Sequence, residues 1–382
     1  MTVHRFAFPT DIRFGPGARA GLADYLAQQG CRRPLIVTDR VLSALPIMDD
    51  MRRLLAGFDV ALYAGVYGNP VASHVEAGAA AYRTHAADAV VGIGGGAALD
   101  VAKAVALMSS HQGGVLEYAW DHPQVRAIVH PLPCLVALPT TAGTGSEVGR
   151  SSVISDDVTH VKRIIFSPQL LPRAVFADPE LTLELPRAVT AATGMDALTH
   201  NVESYLAKGY HPMCDGIALE GVRIVARALP AVVRNPQDIE ARANMLMASM
   251  MGAVAFQKDL GATHSCAHAL STVADVHHGL ANGIMIDYVM RFNRSYATAR
   301  FASLAHAAGL SGADDAACAA DFVAWLTELK QAVGIPRSLA TVNVRSEHVP
   351  QLVAIAVDDI CHKTNPRPCT RDDFERLFRE AL

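Results

Sequence analysis

The 382-residue sequence has no block of basic residues, no CxxC cysteine pair, no GxGxxG fingerprint and no apolar run long enough to span a bilayer. Each absence closes off a class. A formal net charge of −4 offers no general attraction to nucleic acid or to an anionic membrane, so neither is expected as a partner. Seven cysteines (Cys31, Cys134, Cys214, Cys266, Cys318, Cys361 and Cys369) lie scattered along the chain. An odd count at that spacing reads as reduced thiols, without a disulfide framework or a zinc knuckle. The amino-terminal stretch MTVHRFAFPTDIRFGPG lacks the basic and then apolar pattern of a secretory leader, and a cytoplasmic location is the expectation. Low-complexity tracts and fixed-period repeats are missing too. What the chain does have is apolar material. Hydrophobic residues make up 51% and charged residues 18%, enough for two domains with separate cores.

The rhythm of the chain changes partway along. Up to about residue 180, short β-rich runs alternate with helical stretches: PLIVT at 34–38, FDVALY at 58–63, DAVVGI at 88–93 and CLVALP at 134–139. That alternation is the signature of βα units and a parallel sheet. VISDDVTHVKRIIF reads as a hairpin turning around Asp156 and Asp157, and RAVFADPEL at 173–181 as the last strand. From about Leu185 onward helix follows helix, punctuated by proline and glycine. The expected architecture is an α/β domain over residues 1–184 and an all-helical domain over residues 185–382.

Gly94, Gly95 and Gly96 follow the strand DAVVGI and open a helix that carries Asp100 and Lys103 in its first turns. Glycines at a strand-to-helix turn let backbone approach a ligand closely, and the helix start aims N–H groups at it, a geometry suited to a pyrophosphate. A tight βα turn that only needs positive φ has the same composition. Asp39 closes an earlier strand, where a carboxylate can accept hydrogen bonds from adenosine ribose hydroxyls and repel a ribose phosphate, favouring NAD over NADP. It also suits a simple helix cap ahead of Arg40. In TTAGTGSE, Thr140, Thr141, Thr144 and Ser146 offer hydroxyls at the carboxyl end of a strand, where α/β sheets bind ligands.

The second half concentrates histidine. In TGMDALTHNVESY, Asp196 and His200 stand four residues apart and share one helical face. GATHSCAHALSTVADVHHGLAN adds His264, His268, His277 and His278. A lone buried histidine is usually a satisfied core residue. Five histidines and an aspartate in two short segments instead suit a divalent first-row metal, which takes imidazole nitrogens and a carboxylate and leaves a position open for catalysis. Asp196 and His200 supply two ligands from one helix. Spacing leaves open whether His264 acts with His268 or with His278.

Taken together, Asp39, Asn69 with Pro70, GGGAALDVAK, TTAGTGSEV, Lys162, DALTH, GATHSCAH, HHGLAN and the NPR at 365–367 make the chain resemble the iron-dependent (group III) alcohol dehydrogenases over most of its length. The resemblance implies a dehydroquinate synthase-like two-domain fold with the cofactor in the cleft between halves and the glycine turn on the pyrophosphate. It implies Asp196, His200, His264 and His278 as metal ligands, and His268 as a non-ligand histidine near the nicotinamide. Asn69, Asp100 and Lys162 join the cofactor-binding set, His277 is placed behind the ligands or at the surface, and a homo-oligomer is expected. Two departures are visible: Ala97 follows the glycines where the family often has serine, and Ser151 stands where some members carry asparagine. Phe256 and Cys361 match positions that line substrate pockets in some relatives and equally suit plain core.

The activity implied is reversible hydride transfer between NAD(H) and a small primary alcohol or its aldehyde. A cation held by three neutral histidines and a carboxylate keeps net positive charge and lowers the pKa of an alcohol, while His268 can relay the hydroxyl proton. Fe²⁺ is the metal the resemblance implies, and Zn²⁺ competes because it stands higher in the Irving–Williams order. Two other readings are a metal- and NAD-dependent lyase of the dehydroquinate synthase type, and a non-catalytic nucleotide- or metal-sensing protein of the same fold. The lyase needs a dense set of basic residues around DALTH and GATHSCAH, and the sequence lacks it. The sensor would be expected to have lost a ligand, yet all four are present.

Overall fold

The computed structural model describes residues 6–8 and 10–382; the opening residues of the segment read above for a leader lie outside them. The chain forms two units. One comprises Phe8–Thr141 and Gly145–Glu184, and the other Ala142–Thr144 and Leu185–Leu382 together with Phe6 and Ala7.

The first unit runs β1 (Asp11–Phe14), α1 (Leu22–Gln28), β2 (Pro34–Asp39), α2 (Pro46–Leu54), β3 (Ala61–Val66), α3 (Ala72–His85), β4 (Ala89–Gly94), α4 (Gly96–Ser110), β5 (Cys134–Pro139), β6 (Ser151–Ser155), β7 (Lys162–Phe166) and β8 (Ala174–Ala177). Six strands form one parallel sheet in the order β1-β8-β5-β4-β2-β3. Its central strands are buried on both faces, which is why β2 is a continuous apolar run rather than an alternating one. Ile36 packs with Leu22 and Met48 on one face, while Leu35 and Val37 pack with Val75 and Val105 on the other. β6 and β7 form a separate antiparallel hairpin. Asp156 makes its turn by accepting from the Val158 and Thr159 amides (3.0 and 2.7 Å).

Three strands differ from the sequence reading. β8 stops at Ala177, short of the expected Leu181, because Asp178 accepts from the Glu180 amide and starts a 3-10 turn over Pro179–Thr182. β1 is an edge strand of four residues paired to β8. β3 begins at Ala61, not at Phe58, because the Phe58 amide still closes the turn after α2 on Leu55 O and the Asp59 amide bonds Arg32 O.

From β2 the chain moves outward to β3, then returns to the opposite side of β2 for β4. That reversal is the topological switch point of the sheet, and ligands of open α/β sheets bind outside the carboxyl ends of the strands there. Asp39 ends β2 and Gly94 ends β4.

The second unit is helical: α5 (Arg187–Leu206), α6 (Pro212–Arg234), α7 (Ile239–Ala255), α8 (Ala262–Ala274), α9 (His278–Asn293), α10 (Thr298–Ala307), α11 (Asp315–Ala332), α12 (Val349–Asp358) and α13 (Arg371–Ala381). Local chemistry sets several starts. Asp238 caps α7 by accepting from the Ala241 amide, Asp314 caps α11 in the same way, and Thr370 with Asp373 forms a reciprocal box at α13. α5 is buried from Thr190 to Leu206, polar residues included. A helix submerged on every side has no solvent face to explain its Asp196, His200, Asn201 and Glu203. Among the described residues no helix is long and apolar enough to cross a membrane. Among the described residues no disulfide joins any of the seven cysteines.

Candidate metal centre and nucleotide site

Asp196 and His200 lie one turn apart on α5, His264 on the first turn of α8, and His278 at the first position of α9. Donor atoms of Asp196, His200 and His264 all lie within 4.8 Å of one another, and the three residues are buried. Asp196 Oδ1 is 3.9 Å from His264 Nε2 and 3.6 Å from His278 Nε2. The Asn282 amide nitrogen marks the point these atoms face: 2.7 Å from Asp196 Oδ1, 3.3 Å from His264 Nε2 and 3.2 Å from His278 Nε2.

The tautomers follow from what each ring's other nitrogen touches. His264 Nδ1 donates to Glu203 Oε2 at 2.7 Å, and His200 Nδ1 donates to the Gly143 carbonyl at 3.2 Å. A carboxylate and a carbonyl only accept, so the proton stays on Nδ1 and Nε2 carries a lone pair. Burial pushes His200 down to about 4 and keeps it neutral near pH 7. Burial works against the charge of Glu203, yet bonds from His264 and from the Thr263 amide hold its pKa below the usual carboxylate range.

This donor set fits a divalent cation. Bonds of about 2.0–2.2 Å in a tetrahedral shell give donor separations of roughly 3.3–3.6 Å, close to those between Asp196 and the two histidines. A single cation held here would take the place of the Asn282 amide as the partner of Asp196, His264 and His278.

His268 borders that group without a contact to Asp196 or Asn282 among those described. Its ring stacks on His278 with centroids 5.3 Å apart, and its Nδ1 donates to Asp359 Oδ2 at 2.8 Å. Of the two pairings spacing left open, the structure brings His264 together with His278. His268, Asp359 and Cys361 form a second cluster. It suits a metal poorly: burial raises the Cys361 thiol well above its usual range, and Asp359 already accepts from His268, Ser265 and the Cys361 amide. Burial opposes the charge of Asp359, but the His268 ring and these bonds keep its pKa lowered. Phe256 lies beside the first group, its ring 5.3 Å from that of His200. His277 occupies the N-cap position of α9 and is exposed.

In the other unit, the switch point gathers Asp39, Gly94, Gly95, Gly96, Thr140 and Thr141. Gly94 has φ +148°, and a Cβ there would meet Ala98 Cβ at 2.6 Å and Asp39 Oδ2 at 3.5 Å. Gly95 caps α4 and lies against Thr141, while the Thr140 amide donates to Gly94 O. No helix starts at Arg40 for Asp39 to cap: the first turn there is a 3-10 helix over Leu42–Ala44 with Val41 at its N-cap, and Asp39 Oδ1 accepts from the Leu42 amide (2.8 Å) while Oδ2 lies on the Gly94 side. Asp100 is turned inward, accepting from Ser146 Oγ (2.6 Å) and the Val153 amide (3.0 Å). Asn69 and Lys162 share a corner, because the Ser155 amide bonds Pro70 O and Ser155 pairs in register with Lys162. Thr144 falls in the helical unit with Gly143.

Sequence reasoning missed Glu203, Asn282 and Asp359. Glu203 left a signal, for it lies seven residues after Asp196 and three after His200, on the same face of α5. Asn282 is likewise four residues after His278 on α9. It also missed Glu147, a buried carboxyl whose Oε1 has no hydrogen-bond partner; burial raises it to about 7. Nearby Lys103 is buried, donates to the carbonyls of Gly149 and Ser151, and is lowered by that burial.

A parallel sheet with a glycine turn at its switch point, and a helical unit gathering one carboxylate and three imidazoles, define a metal-dependent oxidoreductase of the dehydrogenase kind. Residues 9–179 match the family described as iron-containing alcohol dehydrogenase, and residues 190–382 its carboxyl-terminal part. The chain belongs to the iron-containing alcohol dehydrogenase family and is a metal-dependent alcohol oxidoreductase. It is 37% identical to a 4-hydroxybutyrate dehydrogenase of Cupriavidus necator over 98% of each chain, and 35% identical to an NAD-dependent methanol dehydrogenase of Bacillus methanolicus over 99% of each. The crystal structure of a 1,3-propanediol oxidoreductase superposes with a TM-score of 0.95 at 34% identity, covering 100% of both chains. With that family assignment, the lyase and sensor readings lose their ground.

Proposed function

We propose that the chain transfers a hydride reversibly between NAD(H) and a small primary alcohol or its aldehyde, using a divalent metal held by Asp196, His200, His264 and His278. The observation that carries this reading is the convergence of Asp196 Oδ1 with the Nε2 atoms of His264 and His278 on the Asn282 amide. Bound there, a divalent cation would supply Lewis acidity toward an alcohol or aldehyde oxygen, and NAD(H) would supply the hydride chemistry. Fe²⁺ is the resident we favour, with Zn²⁺ as the alternative occupant.

The chain's own residues do the rest. Glu203 and Gly143 hold His264 and His200 in the one tautomer that offers Nε2. His268 is the catalytic histidine of this reading: it keeps its Nδ1 proton against Asp359 and uses Nε2 to accept the hydroxyl proton, which its 18% exposed side chain passes to water. Phe256 and Cys361 form apolar wall, consistent with a short substrate. The start of α4 cradles the pyrophosphate through backbone N–H groups of Gly95, Gly96 and Ala97, which explains why alanine suffices where relatives use serine. Asp39 Oδ2 receives the ribose hydroxyls. Thr140 and Thr141 line the phosphate turn, and Thr144, Asn69 and Lys162 complete the cofactor set. Asp100 and Ser146 act through each other, bracing the loop from within. A cytoplasmic homo-oligomer is the assembly we favour.

The test is a panel of short aldehydes and diols assayed with NADH on metal-stripped protein, with Fe²⁺, Zn²⁺ or Mn²⁺ added back. Aldehyde-dependent NADH oxidation that needs the added metal is expected. An equal rate in the stripped protein overturns the reading.

A further inference from the structure

Glu203 accepts four hydrogen bonds: from the amides of Gly261 (3.0 Å), Thr263 (2.6 Å) and His264 (3.3 Å), and from His264 Nδ1 (2.7 Å). The Ala262 amide is taken by Asn365 Oδ1 at 3.2 Å. Two side chains thus satisfy all four N–H groups at the start of α8, which would otherwise have no partner in the helix. Glu203 is 2% exposed. A carboxylate buried that deeply persists as a charge only with its lone pairs engaged and a positive potential nearby, and the amino end of α8 supplies both. Gly261 makes room, for a Cβ there would stand 2.7 Å from Glu203 Oε1.

A capping carboxylate alone would not need to touch a side chain. Here the same oxygen that takes the Gly261 amide also takes His264 Nδ1, so one charge fixes where α8 begins and which nitrogen of His264 is bare. A ring whose far N–H is bonded to a carboxylate is a more basic ligand than one bonded to a neutral group.

We propose that Glu203 is a positioning residue that sets the affinity of the metal centre, holding His264 as a strong neutral ligand through its charge. The inference rests on the metal reading proposed above. It attaches a specific function to the E of DALTHNVESY and explains the glycine of GATHSCAH as clearance for that carboxylate.

The experiment titrates the metal-free wild type and Glu203→Gln with Zn²⁺ in competition with a chromophoric chelator, and records the Co²⁺ absorption spectrum of each. Glutamine keeps the size and an accepting oxygen but loses the charge. Zn²⁺ affinity is expected to fall roughly ten- to hundredfold, with displaced Co²⁺ bands. Affinity within about twofold of wild type and an unchanged spectrum overturn the proposal. Should Glu203→Gln not fold, Glu203→Asp keeps the charge but withdraws it from the ring; a smaller loss of affinity is expected, and none overturns the proposal. Wild type that takes up neither ion overturns the metal reading and this inference with it. Wild type that binds while the variant matches it overturns this inference alone.

Discussion

The two candidate sites are built in different ways. In the helical unit the donors are side chains from α5, α8 and α9, buried except for the partly exposed His278, and oriented by further side chains and a carbonyl. In the α/β unit the main donors are backbone groups at one glycine turn, with Asp39 and two threonines beside it. A side-chain site depends on each of its members, because a missing donor cannot be replaced by its neighbours. A backbone site depends on the shape of the turn and tolerates changes such as Ala97. The difference predicts where single substitutions do most harm.

The largest effect is expected in the helical unit. His264→Ala should remove metal and turnover together, with a rate loss on the order of a thousandfold or more. Metal analysis after dialysis and NADH-linked rates check it, and an active variant without metal would break the contrast.

Glu147→Gln probes the interior of the α/β unit. The folded carboxyl titrates near 7 against an ordinary value of 4.5, so the unfolded chain holds fewer protons between those values and folding stability falls as pH rises from about 4.5 to 7. Removing the acid should therefore stabilise the protein at pH 8 relative to pH 5, by on the order of 2–3 kcal/mol. Denaturant midpoints of wild type and variant at the two pH values check the sign.

Asp39→Gly should have the smallest effect. It removes a like charge from the ribose position and is expected to narrow the preference for NAD over NADP by roughly tenfold with metal content intact. Cofactor kcat/KM ratios measure it, and an unaltered ratio would leave Asp39 with only its bond from the Leu42 amide.

The parallel sheet, the hairpin and the polar face of α5 could be read from sequence because each is a local pattern: buried apolar runs, a turn at Asp156, a spacing of four. β1 could not. DIRF is short, half exposed and without alternation, and it becomes a strand only because β8, far along the chain, offers an edge. The boundary of β3 shifted for a similar reason, since a bond to Arg32 holds Asp59 out of the strand. In the metal centre, Asp196 with His200 followed from helix geometry, but spacing could not choose between His268 and His278; the resemblance named His278, and its Nε2 lies 3.6 Å from Asp196 Oδ1 only because α9 folds back beside α5. Glu203 and Asn282 shared faces with recognised residues, yet their value comes from contacts to other segments.

The central claim is a cation held by one carboxylate and three imidazoles. X-ray absorption at the metal edge of the loaded protein tests it directly. The account predicts a single shell of nitrogen and oxygen at about 2.0–2.2 Å with multiple scattering from three imidazole rings. A sulfur shell near 2.3 Å, which would move the ion to Cys361 and its neighbours, or fewer than three rings, would contradict it.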